Sequence, residues 1–296
     1  MKGVQSVGSR TVAITPSAPD TSATPAKRMT GPHCGVAVTP AAAEGVVNRL
    51  MAAGCVAAEE EADELLAGAS DQATLDTWLR RREQGEPLAW ITGVLRFCGQ
   101  TLHVVPGLYV PRIQSEELAC RAAGLLPDNG RAVDFCTGVG AVAAHLTTRV
   151  PTAKIIGIDI DVRAAVCARR NSVQALVADL DQPLRCNRVF DVVTAVAPYV
   201  PTSELRLLPA DVQRYEPRVA LDGGEDGLEL VRRIVAAAGR LLHPGGWLLI
   251  ELGGTQDQAL ASALAASGFD RPEPWWDEDG DLRGLAAHVT ASEPDL

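Results

Sequence analysis

From about residue 130 onward the chain alternates short apolar runs with helical stretches, and this alternation restricts the fold more than any other feature. Runs at Ala132–Cys136, Lys154–Ile158, Leu176–Ala178, Val189–Ala195 and Trp247–Leu252 are continuous, as strands covered on both faces are. Helical stretches at Ala141–Arg149, Val162–Asn171 and Leu228–Leu242 lie between them. Repeated strand–helix units predict an α/β fold around a parallel sheet with right-handed crossovers. Thr255 with Gln258 three residues on predicts a capping box opening one more helix.

The ends of these runs carry the chemistry. The first closes on Asp134-Phe135-Cys136-Thr137-Gly138-Val139-Gly140, and glycines there let backbone approach a ligand at a helix N-terminus. The second closes on Asp159, placed to accept hydrogen bonds from both hydroxyls of a ribose, and the third on Asp179, within reach of an adenine amino group. Gly138, Gly140 and Ala143 also satisfy the looser dinucleotide pattern, which leaves a nicotinamide enzyme as an alternative. Two features favour methyl transfer over hydride transfer. His243-Pro244-Gly245-Gly246 reads as a turn between a long helix and the strand Trp247–Leu252, and the fourth run ends in Val196-Ala197-Pro198-Tyr199, where a transferable methyl would sit.

Ahead of this region the pattern changes. Residues 1–40 are rich in Ser, Thr, Pro, Ala and Gly without sustained periodicity, so a disordered tail is expected. Residues 41–90 show helical spacing, with Val47, Leu50 and Met51, then Ala62, Leu65 and Leu66, then Leu75, Trp78 and Leu79, and predict an N-terminal helical bundle. Residues 91–112 read as a β-hairpin linker turning near Gly99-Gln100, and 113–296 as the catalytic domain. The acidic run Glu59 to Glu64 reads as a solvated helix face.

The net charge of −10 lies in the body of the chain, because the tail carries Lys2, Arg10, Lys27 and Arg28 against Asp20 alone. Such a body is a poor match for nucleic acid, whose phosphates need Lys and Arg. No apolar run is long enough for a membrane span, and the protein is expected in the cytoplasm. The seven cysteines form no C-x-x-C pair and read as scattered thiols rather than disulfides or a zinc site.

From about residue 42 onward the chain resembles the HemK/PrmC-type protein-(glutamine-N5) methyltransferases, which modify the glutamine in the GGQ loop of peptide-chain release factors. The resemblance is carried by Glu61–Leu66, Arg81–Gly85, Glu86–Arg112, Asp134–Gly140 and the specific stretch Tyr215–Gly227. It implies a class I (Rossmann-like) methyltransferase using S-adenosylmethionine, with a seven-strand sheet ending in an antiparallel hairpin behind the N-terminal helical domain and the β-hairpin linker. The implied donor site is Asp134, Thr137, Gly138, Gly140, Asp159 and Asp179, with the acceptor over Val196, Ala197, Pro198 and Tyr199. The partner implied is a protein substrate, with a release factor the family's example. No metal is expected at the reaction, since a sulfonium is already an activated leaving group.

Two departures stand out. The family's Asn-Pro-Pro-Tyr is here Val196-Ala197-Pro198-Tyr199, as in divergent second-copy relatives of undefined substrate, and its Pro-Arg-Pro-Glu-Thr-Glu is Pro111-Arg112-Ile113-Gln114-Ser115-Glu116. In the family the Asn oxygen accepts an N–H of the substrate amide, and Val196 has no such oxygen. An N–H left unpaired in a closed site costs about 1–3 kcal/mol, and losing a positioned polar group can cost about 100- to 1000-fold in rate. Three alternatives follow: a different acceptor, another residue supplying the oxygen, or donor binding without turnover.

Overall fold

The computed structural model describes residues 39–185 and 187–290. Most of the expected tail, residues 1–38, lies outside them, and so does Cys186. Among the described residues no helix is long and apolar enough to cross a membrane.

Three helices open the chain: α1 (Pro40–Ala52), α2 (Ala58–Gly68) and α3 (Gln72–Glu83). Asp71 caps α3 by accepting from the Thr74 N–H at 2.8 Å. Val46, Leu50, Leu65, Leu75 and Leu79 bury one apolar stripe from each helix in a shared core. The acidic run is only partly a solvated face. Glu61 takes two hydrogen bonds from Arg82, at 2.6 and 3.0 Å, and Glu64 accepts from Thr92 at 3.0 Å. A short helix, α4 (Leu88–Thr92), which periodicity alone is too brief to reveal, follows. Its Trp90 indole N–H donates to the Leu108 carbonyl at 3.1 Å.

The hairpin pairs β1 (Val94–Phe97) with β2 (Gln100–His103) across Cys98-Gly99. Both turn residues have positive φ, 47° and 73°, as a two-residue hairpin turn of the primed kind requires.

The remaining elements are α5 (Ser115–Leu125), β3 (Arg131–Phe135), α6 (Ala141–Arg149), β4 (Lys154–Asp159), α7 (Val162–Arg170), β5 (Ala175–Val177), β6 (Phe190–Ala195), α8 (Ala210–Tyr215), α9 (Glu229–Leu241), β7 (Leu242–Glu251), α10 (Gln256–Ala266), β8 (Phe269–Trp276) and β9 (Leu282–Val289). They build one seven-stranded sheet in the order β5-β4-β3-β6-β7-β9-β8. The first five strands in that order run parallel, and β9 is antiparallel to both neighbours. Strand order reverses between β3 and β6, where an open α/β sheet leaves a crevice at its carboxyl edge. Ala132, Val133, Val192, Val193 and Ala195 on these two strands are fully buried, which makes that edge a rigid base.

Two expectations are corrected. His243-Pro244-Gly245-Gly246 is not a turn ahead of the strand but a bulge inside β7: Phe190 pairs with Leu242, and Val192 next pairs with Trp247. The capping box is absent, because Thr255 makes no side-chain cap at α10. The adjacent Gln256 accepts the Gly253 N–H at 3.0 Å instead and donates to the Tyr199 carbonyl at 2.8 Å. A longer amide side chain thus reaches across to another loop where a local cap was expected.

Candidate active site

A cavity of about 300 Å³ opens at the carboxyl ends of β3, β4 and β5. Gly138, Asp159, Asp179, Val196 and Pro198 all line it. Gly138 holds φ at +56°, and a Cβ there would meet no atom closer than 4.0 Å, so its bare backbone fronts open space. The Asp159 carboxylate accepts from the Gly138 N–H at 2.8 Å and from the Asp161 N–H at 2.9 Å, one on each oxygen. Burial raises its pKa, and these N–H donors oppose that rise. Each oxygen keeps a further lone pair, which suits a vicinal diol.

The other candidates stand differently. Asp134 lies under a neighbouring cavity of about 30 Å³, where Thr137 and Thr194 hydroxyls donate to it at 2.6 and 2.7 Å. Burial pushes its pKa up to about 6. Gly140 is away from the lining: a Cβ there would come within 3.0 Å of Ala168 and Val173, so the glycine lets α6 start close against α7. Asp179 is held by Arg233, whose guanidinium donates to both carboxylate oxygens at 2.8 Å.

Beside the main cavity lies a pocket of about 200 Å³ over Val196, Ala197, Pro198 and Tyr199. Leu208, Pro209, Val212 and Leu221 make its walls apolar, and Tyr109, Arg112 and Tyr199 supply its only polar side chains among the described residues. The Tyr199 hydroxyl donates to Glu251 at 2.9 Å, and the Ser115 hydroxyl donates to the other Glu251 oxygen at 2.5 Å. Glu251 is buried at the end of β7, and burial raises its pKa. The Arg112 guanidinium sits 5.0 Å from the Tyr109 ring centroid and pairs with the buried Glu216. Glu216 is therefore a clamp on Arg112, which settles its local placement within the Tyr215–Gly227 stretch.

Glu251 escapes a motif-based reading, whereas Tyr109 and Arg112 fall inside the PG..VPR stretch and Ser115 inside the altered Pro111–Glu116 motif. They reach one site from segments more than a hundred residues apart, as the Ser115–Glu251 and Arg112–Glu216 pairs show. Next to Glu216 in the chain, Tyr215 packs edge-on to Trp90 and donates to the Gln84 carbonyl at 3.0 Å.

No family model matches the chain. It is 37% identical over 195 residues to the release factor glutamine methyltransferase of Geobacter sulfurreducens, covering 64% of this chain and 68% of that one. The corresponding protein of Moorella thermoacetica is 38% identical over 226 residues, 73% and 77% of the two chains. A 4-amino-L-phenylalanine/4-methylamino-L-phenylalanine methyltransferase of Streptomyces pristinaespiralis is 33% identical over 253 residues, 81% and 85%. Among solved structures, a methyltransferase from Pyrococcus furiosus superposes with a TM-score of 0.49 at 16% identity, over 66% of this chain and 91% of that one.

The seven-stranded sheet, its antiparallel last strand and the enzymes it is similar to define a class I, S-adenosylmethionine-dependent methyltransferase. Within that class, the chain belongs to the release factor glutamine methyltransferase family.

Proposed function

We propose that the 300 Å³ cavity holds S-adenosylmethionine and that the adjoining pocket presents a side-chain nitrogen of a protein substrate, the glutamine amide of a release factor being the first acceptor to test. The observation that carries this reading is continuity: Tyr109 and Val196 line both spaces, so a donor and an acceptor would meet across them. The donor fits the residues present. Gly138 offers bare backbone, Asp159 offers paired acceptors to a ribose, and the Asp134 and Asp159 carboxylates, neither of them salt-bridged among the described residues, make a negative field for a cationic sulfonium. When bound, that sulfonium supplies a methyl group already activated for in-line displacement.

The chain's own contribution is orientation. An amide nitrogen is a poor nucleophile because its lone pair is delocalised, so its N–H bonds need acceptors that hold it in line. With Val196 unable to accept, the Tyr109 hydroxyl is the side-chain oxygen placed to do so, and burial raises its pKa, keeping it a neutral phenol. Tyr199 is held by Glu251 and by Gln256, and its aromatic face favours positive charge developing nearby.

A second reading has its own support. The pocket walls are apolar, and a relative aligned over 85% of its length is named for an aromatic amine. A small arylamine would need fewer acceptors than an amide. The deciding experiment incubates purified protein and methyl-labelled S-adenosylmethionine with release factor, with 4-amino-L-phenylalanine and with lysate lacking the gene. Label on the release-factor glutamine supports the first reading, and label on the amino acid alone replaces it with the second. No label on any acceptor, with donor binding intact by calorimetry, overturns both in favour of an idle donor-binding protein.

A further inference from the structure

Cys98, Cys120 and His145 come together in space, although no sequence spacing links them. Cys98 lies in the β1–β2 turn, Cys120 in the middle of α5 and His145 in α6. One potential ligand atom from each lies within 4.8 Å of those of the other two. His145 is 6% exposed, yet its Nδ1 is buried without a hydrogen-bond partner. A buried, unpaired ring nitrogen costs about 1–3 kcal/mol unless something satisfies it.

We propose that Cys98, Cys120 and His145 form a zinc site that ties the hairpin to α5 and α6. Two sulfurs and an imidazole are the donor set this borderline-soft ion prefers. Zinc–sulfur bonds of about 2.3 Å and zinc–nitrogen bonds of about 2.0 Å place tetrahedral ligand atoms about 3.4–3.8 Å apart. A contraction of about 1 Å in the side chains would therefore close the site. Cys120 is exposed, which gives the ion an entry path and leaves the fourth position to water. Binding would release the two thiol protons as the thiolates form. Glu116, whose carboxylate accepts the Cys98 N–H at 2.7 Å, adds negative charge beside a divalent cation, while Arg149 opposes it near His145. The site would stand apart from methyl transfer, because its ligands are outside the linings of the donor cavity and the acceptor pocket.

The test uses the full chain, purified under reducing conditions, stripped with chelator and titrated with cobalt(II) as a spectroscopic stand-in for zinc. About one cobalt per chain should bind with thiolate-to-metal charge-transfer bands in the near ultraviolet, and zinc should displace it and raise Tm. Cys120→Ser and His145→Gln should each weaken binding by about 100-fold, whereas Cys55→Ser, a thiol elsewhere in the fold, should leave it unchanged. Circular dichroism of each variant separates loss of the site from loss of the fold. Absence of charge-transfer bands in the wild type overturns the proposal, as do bands that persist in both ligand variants. So does a Cys98–Cys120 disulfide that, once reduced, binds no metal.

Discussion

Tyr109 and Val196 are the two described residues that line all three spaces at the carboxyl edge of the sheet: the acid-lined cavity, the apolar pocket and the small cavity over Asp134. The tyrosine side chain carries an oxygen and the valine side chain has none, so the side-chain polarity these two bring to the junction rests on the tyrosine. Tyr109→Phe should keep the fold and lower kcat about 10- to 100-fold on an amide acceptor, with donor affinity nearly unchanged. Val196→Asn should raise turnover on release factor about 10-fold or more. Steady-state kinetics on the two variants checks both, and equal rates for Tyr109→Phe and wild type would remove the hydroxyl from the mechanism.

Asp159 connects the glycine turn to the proposed donor. Asp159→Ala removes the partner of the Gly138 N–H together with the acceptors offered to the ribose. Donor affinity measured by calorimetry should fall about 100-fold or more, and methyl transfer should fall with it.

Glu251 serves two hydroxyls at once. Glu251→Leu would leave Ser115 and Tyr199 without their buried partner, at about 1–3 kcal/mol for each hydroxyl. Glu251→Gln retains an accepting oxygen and should recover most of that loss. Chemical denaturation of the pair separates hydrogen bonding from simple occupancy of the space.

The buried Asp134 gives stability a pH dependence of known sign. Its pKa rises from 3.8 to about 6 in the fold, so the folded chain holds this proton more tightly than the unfolded one. That contribution is fully present below pH 3.8 and is lost as the pH rises through about 6, an effect of the order of 1–3 kcal/mol. Across this window the Tm of the wild type should decline relative to Asp134→Asn, as thermal melts at stepped pH would record.

In the helical bundle, Arg82 and Glu61 form a two-pronged pair that is largely shielded from water. Arg82→Ala should lower stability by about 1–3 kcal/mol through the stranded carboxylate, and far more than Arg121→Ala, whose pair with Glu117 is exposed. Thermal melts of the two variants give the comparison directly.

Local rules reach some of this molecule and stop short of the rest. Apolar runs and glycine turns locate β3, β4 and β6, and α6 spans Ala141–Arg149 as its pattern predicts, because those signals lie within a few residues of one another. The same rules place Gly138, Asp159 and Asp179 at successive strand ends, where the structure gathers them into one cavity. They fail at α4, too short for a period, and at the β7 bulge, where Pro and Gly imitate a turn. They also miss Tyr109 beside Val196, Ser115 on Glu251, and His145 between two cysteines, because such pairings are made by crossing strands rather than by spacing.

Contacts beside the acceptor pocket span long stretches of chain: Tyr215 reaches back 131 residues to Gln84, and Glu216 reaches back 104 to the pocket's Arg112. Closing such loops costs chain entropy before the contacts offset it, so contacts of this kind slow folding. After dilution from denaturant, the sheet should regain its secondary structure before the protein regains its ability to hold an acceptor. Competence would then be the last property of this enzyme to return, and the first that a destabilised chain gives up.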